Sequence, residues 1–169
     1  MIKYRQVETQ SMIKRLPIIH LGTDHAGYGL KEAIGKYLRR AGYEVRDHGA
    51  FSAEPSDYPD FIIPAAEAVA ASRGRDLGIV FGGSGNGEDI AANKVKGVRA
   101  ALVYDARTAR LAREHNDANV ICFGARTRSG RPKTTVRLIN VWLKTKFAGG
   151  RHARRLKKIA AYENRRRRG

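Results

Sequence analysis

Apolar positions along this chain recur at two periods, and the switches between them mark out the elements. Residues 17–27, "PIIHLGTDHAG", open on an apolar run and read as a buried strand leading into a glycine-containing loop. Residues 28–42 place Leu30, Ala33, Ile34, Tyr37 and Leu38 at helical spacing, with Gly42 as the stop. Residues 43–49 alternate like a strand. Residues 56–72 read as a loop and then an alanine-rich helix with Pro64 early, where proline is tolerated. "DLGIVFGG" (76–83) is short and continuously apolar, the pattern of a strand covered on both faces. A helix over 87–95, a strand over 98–105, a helix over 106–116 and a fifth strand over 119–126 follow. Residues 132–147 begin with proline and carry Val136, Ile139 and Leu143 on an apolar face. After "AGG", residues 151–168 read as a basic helix that frays.

Strands alternating with helices at this spacing predict an α/β fold: a doubly wound, Rossmann-like parallel sheet of five strands in three layers, with a C-terminal basic helix. Ligands in such folds sit beyond the carboxyl ends of the strands, which points to "TDHAG", "GGSGNGE" and "GAR" after strands one, three and five. The expected division is a flexible N-terminal extension over 1–15 (Met12 being a second possible start), one domain over 16–163 and a basic tail over 164–169.

Composition adjusts this picture at the ends. The 169 residues, 42% of them hydrophobic, suffice for one domain with a real core. The net charge of +17 is uneven: residues 144–169 hold eleven Lys/Arg against Glu163. Residues 1–15 hold four against Glu8, which leaves +4 for the body. Such termini read as solvated tips or as a contact for nucleic acid or another polyanion. No recognition helix or interleaved aromatics accompany them, so nucleic acid is the weaker reading. The single cysteine, Cys122, excludes an internal disulfide or a Cys-built zinc site and reads as a small buried hydrophobe. No stretch approaches the ~20 apolar residues of a membrane span. The first fifteen residues lack the apolar segment of a signal peptide, so the expected compartment is the cytoplasm.

The chemistry concentrates in "GGSGNGEDIAANK", where Gly82, Gly83, Gly85 and Gly87 precede Glu88 and Asp89. A Walker-type loop needs Lys and then Ser or Thr after its last glycine, and here two acids stand there. A dinucleotide fingerprint needs G-x-G-x-x-G, whereas Gly83, Gly85 and Gly87 form G-x-G-x-G; Asp105 nevertheless ends the next strand at a suitable distance. A tight turn without further purpose is one remaining reading. The other is an oxyanion site whose N–H groups face an enediolate made by Glu88 as base. Asp24 and His25 would point apart on an extended strand, which disfavours metal ligation by the pair; they either cap the next helix or line a pocket. His115 ends a helix, where the dipole favours a cation in any case. His20 reads as a satisfied core residue. Arg151 and Arg155 share a helix face and, like Arg126, suit a phosphate, although a solvated basic face fits the same pattern.

Taken in order, "GTDHAG", "DYPDF", "GGSGNGEDIAANK", "REHNDANVICFGAR" and "GGRHARRL" make the chain resemble the type B ribose-5-phosphate isomerases, over about residues 17–163. That family also includes galactose-6-phosphate isomerase subunits. The resemblance implies a homodimer, sometimes paired into a tetramer, with no metal and no organic cofactor. The implied reaction is aldose–ketose isomerisation of a phosphosugar through a cis-enediol. Ribose 5-phosphate and ribulose 5-phosphate are the expected pair, with four-carbon erythrulose phosphate or six-carbon allose or galactose phosphate as alternatives. By the same resemblance Asp24 and His115 open the sugar ring, and Glu88 is the base. Ser84 with Gly83, Gly85 and Gly87 holds the enediolate. His25, Arg126, Arg151 and Arg155 clamp the phosphate, and Asn116 contacts a sugar hydroxyl. His115, Asn116 and Arg126 are implied to come from the neighbouring subunit. Another branch of the family carries a catalytic cysteine where this chain has Gly82, so the chain follows the glutamate branch.

Overall fold

The computed structural model describes residues 15–165. Five parallel strands, β1 (Ile19–Thr23), β2 (Val45–Asp47), β3 (Leu77–Gly82), β4 (Ala100–Leu102) and β5 (Val120–Gly124), form one sheet in the order β2-β1-β3-β5-β4. Helices α1 (Tyr28–Arg40), α2 (Pro59–Ala71), α3 (Asn86–Ala92), α4 (Ala106–Asn116) and α5 (Pro132–Lys144) connect or cover the strands, and α6 (Gly150–Arg165) follows. This is the expected doubly wound arrangement.

Strand alternation sorts the core into two layers. Leu77, Ile79, Phe81, Ile121 and Phe123 pack with Leu30, Ile34 and Leu38 of α1, Ala109 and Ala112 of α4, and Leu138, Ile139 and Trp142 of α5. Val80, Val120 and Cys122 face the other way, against Ile62, Ala65, Ala66 and Val69 of α2 and Ala91 and Ala92 of α3. Trp142 is fully buried because its indole N–H finds the carbonyl of Ala118 at 3.1 Å. Cys122 is buried as expected, and burial pushes its thiol well up, leaving it inert.

Several boundaries move. The alanine-rich helix begins at Pro59, so Pro64 lies inside it rather than at its start. The fourth strand shrinks to Ala100–Leu102, because it is an edge strand paired only with β5. The buried stripe of α5 is Thr135, Leu138, Ile139 and Trp142, with Val136 and Leu143 packed at its margin. Asp105 caps α4 in a reciprocal box with Thr108, which accounts for the acid that a dinucleotide site would have used on a ribose. The expected extension and tail lie outside the described residues except at their inner edges. Arg15 pairs with Glu44 at 3.1 Å, and α6 continues through Asn164 to Arg165, so 163 is no structural boundary.

Candidate active site

The chain leaves β1 towards one edge of the sheet and returns to β3 on the other side, so the crevice for a ligand opens between the carboxyl ends of these two strands. Thr23 lies opposite Phe81 in the ladder, which sets Asp24 beside Gly82. Asp24 is buried, and its Oδ1 accepts the backbone N–H groups of Ala26 and Gly27 at 2.9 and 3.3 Å. It therefore caps the short turn of His25–Gly27, and its Oδ2 lies 4.0 Å from the His25 Nδ1. His25 is held by Ser56, whose Oγ accepts the His25 backbone N–H, while the His25 Nδ1 lies 3.2 Å from both backbone N and O of Ser56.

The glycine loop between β3 and α3 is shaped around a carboxylate. Gly85 sits at φ +86°, a left-handed conformation that turns the strand sharply into the helix. A Cβ built on Gly82 would fall 1.9 Å from both Cδ and Oε1 of Glu88. The side chain missing at Gly82 is thus the berth of the Glu88 carboxyl group, which is only 4% exposed. Burial raises the Glu88 pKa from its ordinary value and nearby Asp24 adds to the rise, while the N–H groups of Glu88 and Gly85 pull it down. The helix start favours the anion, as its position suggests, but burial outweighs it. In the resting protein the loop's amides therefore hold the protein's own carboxylate.

β5 runs beside β3 with Gly124 opposite Gly82, and the chain beyond follows the loop: Ala125 and Arg126 donate N–H to the carbonyls of Gly82 and Gly83. The Arg126 Nη1 lies 3.4 Å from where a Gly83 Cβ would stand. Arg126 thus reaches the loop of its own chain, contrary to the expectation that it arrives from a neighbour.

His115 and Asn116 lie elsewhere. α4 descends from the carboxyl end of β4 to the amino end of β5, and its last residues are tied down there by Arg99, whose Nε donates to the Asn116 carbonyl at 2.9 Å. α6 starts at the same end, where Glu114, His115, Arg151 and His152 line a shallow cleft of about 250 Å³. Within one chain Asp24, His25, Ser84, Glu88 and Arg126 form one group at the carboxyl ends of the strands, and His115, Asn116, Arg151 and Arg155 form a second at the opposite, amino end.

The family model for Ribose/Galactose Isomerase matches residues 19–159. The chain belongs to the ribose/galactose isomerase family. It is 46% identical over 147 residues to ribose-5-phosphate isomerase B of Mycobacterium leprae, covering 86% of this chain and 89% of that protein. The solved structure of Clostridium thermocellum ribose-5-phosphate isomerase B is similar with a TM-score of 0.83 at 46% identity, over 87% of this chain and 97% of the other. That of the Mycoplasma genitalium enzyme with bound ribulose-5-phosphate gives 0.84 at 40% identity, over 89% and 99%.

For this family member the structure also brings forward residues to which the sequence assigned no role. Tyr58 packs its ring on Gly87, over the start of α3, and its part in the loop's wall was carried only by the unexplained string "DYPDF". Asp89, next to Glu88, turns inward against the Cys122 thiol; its Oδ1 is buried and unpartnered, and burial raises its pKa. A cleft of about 480 Å³ opens elsewhere, flanked by Arg15, Arg46, Arg75 and Asp76. The acid there is already engaged, Asp76 with His20 at 3.3 Å. Arg154, Lys157, Lys158 and Arg165 of α6 are exposed and make no ion pair among the described residues, as a solvated basic face does. Arg166–Arg168, on which the polyanion reading leans, lie outside the described residues. Among the described residues no helix is long and apolar enough to cross a membrane, and no cluster could hold a metal ion.

Proposed function

We propose that this protein interconverts ribose 5-phosphate and ribulose 5-phosphate, with Glu88 as the base. The observation that carries the reading is the buried Glu88 carboxyl group, lodged in the space left by Gly82, beside Asp24 and under a glycine loop. A base with a raised pKa operates nearer neutral pH, where it both takes a proton readily and returns it.

In the reaction, Asp24 and His115 exchange the protons of the C1 hydroxyl and the ring oxygen, so that the furanose opens to the aldehyde. Glu88 then removes the C2 proton, and the electrons move onto the carbonyl oxygen at C1. The resulting enediolate is held by the loop of Gly83, Ser84, Gly85 and Gly87. As Glu88 takes up the proton it becomes neutral and loosens its hold on the Gly85 N–H, which serves the new oxyanion instead. Return of the proton to C1, with a proton shifted from the C2 to the C1 oxygen, gives the ketose. His25, Arg126, Arg151 and Arg155 take the phosphate, and Asn116 a sugar hydroxyl.

The two residue groups stand at opposite ends of the strands, so a complete site needs two copies of the chain, each lending His115, Asn116, Arg151 and Arg155 to the other's Glu88. The reading places the enzyme in the cytoplasm as a homodimer. Purified protein assayed on aldose phosphates of four, five and six carbons tests it: the five-carbon substrate turns over best, and absence of turnover on all three overturns the enzyme reading.

A further inference from the structure

His115 and His152 stack face to face, with ring centroids 4.1 Å apart and planes 13° from parallel. The partners are unequal. His115 keeps 36% of its side chain exposed, whereas His152 is only 6% exposed, in the first turn of α6. The junction that brings the rings together is specific. Gly149 and Gly150 both adopt positive φ, +66° and +53°, and the Ala148 N–H donates to the Glu114 carbonyl at 2.9 Å. The His152 N–H in turn donates to the Gly149 carbonyl at 3.0 Å. The start of α6 is thereby stapled to the end of α4, with one imidazole laid on the other.

We propose that His152 is a positioning residue for ring opening: its buried ring is the plate that fixes the plane of His115, so that one nitrogen of His115 is presented to the ring oxygen of the furanose. This rests on the isomerase reading above and assigns His152 a role apart from the phosphate contacts of its neighbours Arg151 and Arg155. The charged and titratable groups around the pair are Glu114, whose Oε1 lies 4.0 Å from the His115 Nε2, and the guanidinium groups of Arg151 and Arg155. Burial lowers the His152 pKa, and His115, Arg151 and Arg155 lower it further against the opposing pull of Glu114. The plate is thus a neutral ring at neutral pH, and stacking a neutral aromatic against His115 costs no charge repulsion.

The two halves of the reaction can be read separately. Ribose 5-phosphate exists mostly as a closed ring, whereas ribulose 5-phosphate, with its O5 phosphorylated, cannot close a furanose. Exchange of its C1 proton with D2O therefore needs Glu88 and the enediolate but no ring opening. The comparison uses the full chain with His152→Ala and His152→Phe. His152→Ala is expected to lower kcat/KM for ribose 5-phosphate by about tenfold or more, the scale on which misplacing a catalytic group is felt. It leaves C1 exchange of ribulose 5-phosphate within about threefold of wild type. His152→Phe keeps a flat ring under His115 and restores most of the loss. Equal loss of both activities in His152→Ala marks a packing role only and overturns the proposal, as does a His152→Phe as defective as the alanine variant, or an unaltered alanine variant. A wild-type protein that neither isomerises nor exchanges refutes the isomerase reading itself, which is a separate outcome.

Discussion

Glu88 stands under two opposed influences. The N–H groups at the start of α3 favour its anion, and burial against Gly82 with Asp24 nearby favours the neutral acid; burial wins. Since the proposed base must be ionised, the rate should fall as pH drops through its pKa, and the acid limb of kcat/KM should lie above the ordinary glutamate range. Glu88→Gln removes that limb, lowers turnover by at least ~100-fold and abolishes C1 exchange of ribulose 5-phosphate, while leaving the circular dichroism spectrum unchanged. A variant within a few-fold of wild type removes Glu88 from the chemistry. Asp89 supplies the matching stability statement. Its folded-state pKa is raised, so the folded protein holds the proton to higher pH than the unfolded chain does. Its contribution is fully favourable below the unfolded pKa and is lost as pH rises through the folded one. Asp89→Asn should therefore raise the unfolding midpoint at pH 7 and change it little near pH 4. A lower midpoint at pH 7 would mean that the orphaned Oδ1 has a partner the carboxylate needs.

At the scale of elements, the turn from β3 to α3 couples backbone shape to chemistry. Gly82→Ala places a methyl where the Glu88 carboxyl now sits and drives that group out of its berth. Turnover should fall towards that of Glu88→Gln, and the double variant should be no slower than Glu88→Gln alone, because both changes remove one interaction. A multiplicative loss in the double variant separates the two residues. The turn and both of its neighbours were legible in the sequence, since parallel strands covered on both faces leave continuous apolar runs and the glycines interrupt them. Asp24 and Glu88 followed from the same strings. Burial of a polar group is less legible. Lys31 lies in the helical stripe of α1 that periodicity assigns to apolar neighbours, yet it is fully buried. Asp47 and Glu32 pair with its ammonium group, and the rings of Tyr28 and Phe51 flank it. Those partners come from three places in the chain, so no local pattern foretells them. The placement of Tyr58 on Gly87 and the His115–His152 stack escaped for the same reason.

At the scale of the whole molecule, the chain order of motifs hides how far apart they fold. "REHN" directly precedes β5, whose far end meets the glycine loop, but a parallel strand has two ends and the helix before it finishes at the amino one. His115 and Asn116 are therefore separated from Glu88 by the length of β5, and the proposed reaction joins the two groups through a second copy, oppositely oriented. This makes a prediction that no monomeric site shares. Glu88→Gln and His115→Ala chains, each nearly inactive alone, are unfolded together and refolded as a mixture. Each mixed dimer then carries both defects in one site and none in the other. With random pairing, an equimolar mixture recovers roughly a quarter of wild-type activity. Refolding each variant separately and then combining them without subunit exchange recovers none. No gain in the co-refolded sample would place His115 and Glu88 in the same chain's site, which the path of α4 opposes, or take His115 out of the reaction.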